Sequence, residues 1–312
     1  PLLHPVGALS KDLAGRELAP FFELAEAGCL AVSNDGLPVT DNHLFRRAME
    51  YSQGPGLLVI DHCEDPGLAA GGQVNEGLIS DSMGLAGQPS IAEALQVARD
   101  ILLAKYLQIP VHLAHISTRE SVELIARAKT EGVPVSAETC PHYLLWDHDL
   151  VRGFSTLAKV NPPLRTEDDV QALRQAVREG VIDILVTDHA PHADFEKDAP
   201  FSQAPNGISG LDTALSLTWS LVQDQVLTIE DLIRLWSFAP AAVYGFQPNS
   251  FSAGDPADIC IFDPKASWMV DPETMASKGK NTPCLGRVLP GRVKSLIVRG
   301  KLVYEQDEPE TL

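Results

Sequence analysis

The sequence predicts an α/β protein built on a parallel sheet buried on both faces. Three observations lead there. Short, near-continuous apolar runs alternate with longer helical patterns. Polar residues gather at the C-terminal end of nearly every run, where the βα loops of such folds open. The pattern holds to about residue 250, and then the texture changes.

The elements follow in order. The stretch Pro1-Leu2-Leu3-His4-Pro5-Val6-Gly7-Ala8 has no initiator Met and reads as the middle of a loop. The first run, Cys29-Leu30-Ala31-Val32, ends in Ser33-Asn34-Asp35-Gly36. Leu57-Leu58-Val59-Ile60 ends in Asp61-His62-Cys63-Glu64-Asp65, and Val111-His112-Leu113-Ala114 ends in His115-Ile116-Ser117-Thr118. Val133-Pro134-Val135-Ser136 ends in Ala137-Glu138-Thr139, and Ile182-Asp183-Ile184-Leu185-Val186 ends in Thr187-Asp188-His189-Ala190-Pro191-His192. Apolar residues at three- and four-residue intervals predict helices over 91–107 and 121–129 between them. Five strands fit an open sheet, or a closed barrel of eight that lacks its first strands; a start inside a loop favours the second. Beyond residue 250, Gly254 to Phe262 and Val293 to Tyr304 read as short strands, the latter a hairpin around Arg299-Gly300-Lys301. We therefore expect a barrel domain over 1–250 and a small C-terminal β segment over 251–312, with the acidic tail Glu305 to Leu312 loose.

Charge and composition exclude several classes. Lys+Arg 24 against Asp+Glu 42 leaves −18 over 312 residues, which argues against nucleic acid or an anionic membrane as partner. Hydrophobic content of 45% with 21% charged residues is globular usage. No apolar run approaches the roughly 20 residues that span a bilayer. Five widely spaced cysteines without a Cys-x-x-Cys argue against a disulfide scaffold or a thiolate zinc site and make a reducing cytoplasm the default.

Candidate chemistry sits at the strand ends. Asp35, His62, His115 and Asp188 offer carboxylate and imidazole without thiolate, a donor set suited to catalytic Zn²⁺. One such His is more often structural; four strand ends in order, each with a possible ligand, strengthen the joint reading. Asp188 can hold a metal and also move a proton, whereas the alternative is a helix N-cap. Asn161 precedes Pro162-Pro163, which biases it to extended geometry; a plain turn is an equal reading. Asn206-Gly207-Ile208-Ser209-Gly210 lets the backbone approach a planar ligand, although Asn-Gly is first a turn signal.

Together these motifs resemble the dihydroorotases, type I bacterial branch, of the amidohydrolase superfamily. The matching stretches are Gly28 to Gly36, Asp61 to Asp65, His115 to Thr118, Asn161 to Arg165, Thr187 to His192 and Gly254 to Asp258. The resemblance implies a distorted (β/α)₈ TIM-like barrel with a small β-sandwich built from both chain ends. It implies a cytoplasmic enzyme of de novo pyrimidine (UMP) biosynthesis that reversibly cyclises N-carbamoyl-L-aspartate to (S)-dihydroorotate and water. By the same resemblance Asp35 bridges the metals in place of a carboxylated lysine, and His62 and His115 bind the second metal. Asp188 is both ligand and catalytic acid/base, while Asn161, His192, Asn206 and Gly207 bind substrate. One or two Zn²⁺ per subunit, a homo-oligomer and a complex with aspartate carbamoyltransferase are implied as well.

The family also carries a His-x-His pair, a carboxylate-gripping arginine and a substrate-binding asparagine on earlier elements. No His-x-His precedes His62 here. The expectation is a dihydroorotase beginning near the third barrel strand and lacking roughly its first quarter, inactive or nearly so by itself. Two alternatives are kept: a hydantoinase- or allantoinase-like cyclic amidohydrolase, and a non-catalytic scaffold for the transferase. The first usually carries the bridging lysine, and the second usually loses its ligands.

Overall fold

The computed structural model describes residues 3–306; Pro1, Leu2 and most of the acidic tail lie outside the described residues. In chain order the strands are β1 Val6–Ala8, β2 Ala31–Ser33, β3 Leu58–His62, β4 Val74–Asn75, β5 Gly87–Gln88, β6 Val111–Ala114, β7 Val135–Thr139, β8 Ile184–Leu185, β9 Ile259–Met269, β10 Val288–Val298 and β11 Lys301–Glu305. The main sheet runs β1-β2-β3-β6-β7-β8, every pair parallel. It has six strands, not five. The stretch read as loop contains β1, with Val6 opposite Ala31 and Ala8 opposite Ser33. Three residues behind a proline carry too little pattern to announce a strand; the pairing with β2 makes it one.

The two-residue alternation divides each strand. Val32, Val59, Val111, Leu113, Ala137 and Leu185 face the helices in the main apolar core. The opposite side carries a small apolar cluster of Ala31, Ile60 and Ala114 and, beside it, polar groups, where buried His112 lies between Ser136 Oγ at 2.7 Å and Glu138 Oε2 at 2.9 Å. The helix at 91–107 forms where periodicity puts it, and the one expected over 121–129 runs Arg119–Thr130. Its N-terminus is capped by Thr118, whose hydroxyl accepts from Ser121 N, a contact worth about 1 kcal/mol. The strands extend past their apolar runs because pairing continues: His62 stays in register with Ala114.

The C-terminal strands form an antiparallel sheet ordered β11-β10-β9. Its hairpin turns at Arg299 and Gly300, both with positive φ. A second cluster, including Leu217, Trp268, Met275 and Leu289, packs this sheet on the helix Ala214–Gln223, and Trp268 Nε1 donates to Ser216 Oγ at 3.0 Å. All five cysteines are free, and only Cys260 is exposed. Among the described residues no helix is long and apolar enough to cross a membrane.

Candidate metal centre

His62 is the last residue of β3, His115 directly follows β6, Asp35 stands two residues beyond β2, and Asp188 lies three beyond β8. Parallel strands end on the same side, so the four reach one place. All four line a cavity of about 220 Å³ with Gly36, Val160, Asn161, Ala190, Asn206 and Gly207. His62 Nδ1 lies 2.8 Å from His115 Nε2, and Asp35 Oδ1 is 3.4 Å from each of those nitrogens.

This arrangement fits a divalent cation. Three donors bound at about 2.0–2.1 Å in tetrahedral geometry stand about 3.3 Å apart, close to the spacings seen. Without a cation the facing nitrogens can share only one proton, so two lone pairs and a carboxylate are aimed at a common point. Both imidazoles are buried, at 2% and 5% exposure, while the Asp35 side chain is 66% exposed. Asp35 is held well below the usual carboxylate range by hydrogen bonds to His115 and His62. Burial would lower the pKa of His62, but hydrogen bonds to Asp35 and Glu64 outweigh it and raise it to about 9. His115 is raised for a similar reason, its contact with Asp35 overcoming burial. Asp188 is pushed up, mainly by burial.

The supports are local. His115 and Asp188 both have positive φ, 34° and 42°. Glu93, from the helix Ile91–Leu107, accepts from Ser117 N and Thr118 N at 3.1 Å and so holds the loop behind His115. Asp188 is not an N-cap; the segment after it bridges His189 to Ile208. His189 Nδ1 accepts from Gly210 N at 3.1 Å. Gly207 has φ 136°, and a Cβ there would lie 2.6 Å from Ala190 Cβ. His192 Nε2 donates to Asn206 O at 2.9 Å. The Asn161–Pro162 peptide is cis.

The structure brings Asp35, His62 and His115 into a tight trio; Asp188 shares their cavity but clusters more closely with Cys140 and His142. A third group, Asp61, Cys63 and Asp100, lies behind β3 and is crossed by Arg99, 2.8 Å from Asp61 and 2.7 Å from Asp100. The sequence reading missed Asn281, whose amide donates to Ala190 O and Gly207 O at 3.0 Å and ties the loop after β8 to the cavity wall. It missed Lys159 and Lys197, buried ammonium groups that donate to Phe201 O and Pro205 O beneath the Asn206 loop. Glu64 lies inside the Asp61 to Asp65 stretch, which by itself gives it no role. No local pattern marks these residues, because they also bond across the fold: Asn281 to Ala190 O, Lys159 to Phe201 O, Lys197 to Thr156 O and Glu64 to Asn161.

The comparisons with known proteins make this a cyclic amide hydrolase of the amidohydrolase type. Residues 3–121 match the family model described as Dihydro-orotase-like. The dihydroorotase of Geobacter metallireducens is 47% identical over 304 residues, covering 97% of this chain and 72% of that protein. Among solved structures, the L-hydantoinase (dihydropyrimidinase) of Arthrobacter aurescens matches at TM-score 0.80 and 27% identity, over 92% of this chain and 67% of that one. A D-hydantoinase matches at TM-score 0.78 and 24% identity over 92% of this chain; the chain spans 66% of its length, and the likeness speaks for the fold alone. The chain belongs to the dihydroorotase family.

Proposed function

We propose that this chain carries the site for reversible cyclisation of N-carbamoyl-L-aspartate to (S)-dihydroorotate and water in pyrimidine biosynthesis. The observation that carries the reading is the convergence of Asp35, His62 and His115 at 2.8–3.4 Å in a cavity that Asp188 also lines. Asp35, His62 and His115 would hold Zn²⁺, and Asp188, which lines the same cavity, would serve as a further ligand. A cation there supplies Lewis-acid polarisation of the scissile carbonyl and makes hydroxide available at neutral pH.

The chain's own residues do the rest. In ring opening a C–O bond forms at the amide carbonyl and its C–N bond breaks. Asp188 accepts the proton of the attacking water and returns it to the departing ring nitrogen. In cyclisation Asp188 starts protonated. Asn161 and the Asn206–Gly207 segment, which line the cavity, orient the ring and its carboxylate, with His192 behind them on Asn206 O; Gly207 leaves room for Ala190 and His192, which a side chain there would strike.

We further infer that residues 1–250 supply the strands from about the third onward of an eight-stranded barrel, and that 251–312 contributes to a β-sandwich. The TM-score of 0.80 and the edges of β1 and β8, unpaired in that sheet among the described residues, support this. A cytoplasmic site, a homo-oligomer and assembly with aspartate carbamoyltransferase belong to the same proposal. No His-x-His lies upstream of His62, so the 312-residue chain alone is inactive or nearly so. Assaying dihydroorotate, hydantoin and allantoin ring opening with added Zn²⁺ tests this. Full activity of the isolated chain overturns the inactivity claim. With the upstream segment of a relative supplied, preference for hydantoin or allantoin overturns the substrate assignment.

A further inference from the structure

We propose that Glu64 is a positioning residue of this centre, holding the His62 imidazole and the Asn161 amide on one carboxylate oxygen. The inference rests on the reading that His62 is a metal ligand and that Asn161 faces substrate.

Glu64 stands two residues beyond β3, behind His62 and Asn161, which line the cavity. Its Oε2 accepts from Asn161 Nδ2 at 2.9 Å and from Gln88 Nε2 at 2.9 Å. The same oxygen lies 3.5 Å from His62 Nε2. These contacts assign the tautomer of His62. Its Nδ1 faces Asp35 Oδ1 and His115 Nε2, so that nitrogen offers a lone pair to a cation and the ring proton sits on Nε2. The nearest acceptor facing that nitrogen is the Glu64 carboxylate at 3.5 Å, since the other neighbour, Asn161 Nδ2 at 3.4 Å, is itself a donor. A ligating imidazole that donates its second N–H to a carboxylate is fixed in orientation and is more basic at the ligating nitrogen.

The carboxylate is itself braced. Gln88 is 3% exposed, and its backbone oxygen accepts from Arg165 Nη1 at 3.0 Å. Arg165 closes the Asn161 to Arg165 segment, so both the metal side and the substrate side of Glu64 are anchored to buried groups. One side chain thereby sets the distance between a ligand of the cation and a contact to the ring.

The test uses the purified protein and Zn²⁺, with affinity measured by competition against a chromogenic chelator. Glu64→Gln should weaken binding by about 10–100-fold, with an unchanged far-ultraviolet circular dichroism spectrum. Gln88→Ala, which leaves the carboxylate in place but unbraced, should weaken it less. In the unsubstituted zinc-bound protein, long-range ¹H–¹⁵N correlation should find the His62 proton on Nε2; the signal is assigned by its loss in His62→Ala. Parent-like affinity in Glu64→Gln beside lost binding in His62→Ala overturns the proposal and spares the metal reading. A proton on Nδ1 also overturns it, and needs no variant to fold. Parent-like affinity in His62→Ala overturns the metal reading itself.

Discussion

His62 Nδ1 and His115 Nε2 face one another at 2.8 Å, although 53 residues separate them in the chain. Two buried ring nitrogens at that distance accommodate one proton or one cation, and Asp35 Oδ1 completes a triangle around the point between them. Adjacent parallel strands β3 and β6 make the meeting unavoidable, since register places His62 beside Ala114, one residue before His115.

Removing one corner of the triangle should cost more than removing an outer partner. His115→Ala is expected to lower Zn²⁺ affinity by more than the about 100-fold that bounds the loss of a supporting group. Chelator competition measures it, and an affinity within threefold of the parent would contradict the assignment.

Asp188→Asn keeps shape and removes the proton carrier. In an active assembly of this protein, ring opening at saturating Zn²⁺ should fall by about 10²–10⁴-fold, the range for loss of a general acid/base. A kcat within tenfold of the parent would show that the proton travels elsewhere.

Gly207→Ala places a Cβ 2.6 Å from Ala190 Cβ on a backbone with φ 136°. The strain and clash should destabilise the fold by about 1–3 kcal/mol, read as a lower urea midpoint. KM should rise too, because the residue lines the cavity.

His142 is buried and its pKa is pushed down to about 3, by burial first and then by the charge of His115. The folded value lies below the unfolded 6.5, so between the two the unfolded chain binds a proton that the folded chain refuses. Stability is therefore lost as pH falls from about 6.5 towards 3, by up to about 1.4 kcal/mol per pH unit. Its Nε2 has no partner, so His142→Leu forfeits no hydrogen bond from that atom. The difference between parent and variant in urea midpoint should shrink in favour of the variant as pH drops through this window. Parallel curves would mean that His142 takes up its proton in the folded protein.

Much of this was legible because parallel α/β folds write their sites at strand ends. Four apolar runs with a polar residue just beyond each were enough to single out Asp35, His62, His115 and Asp188, and the structure puts all four around one cavity. The helix at 91–107 could be read from periodicity alone. Strand β1 could not, because its three residues owe their conformation to pairing with β2. Glu64, Asn281 and the two buried lysines stayed hidden for a related reason. Each acts through partners tens of residues away, Lys197 through Thr156 O, and a lone Glu, Asn or Lys has no periodicity to betray it.

The most direct test is a zinc-soaked crystal with anomalous scattering collected at the zinc edge. The account predicts a peak within about 2.0–2.2 Å of a carboxylate oxygen of Asp35 and of one ring nitrogen each of His62 and His115. A peak held instead by Cys140 and His142, or by Asp61, Cys63 and Asp100, with none at the triangle, would contradict it.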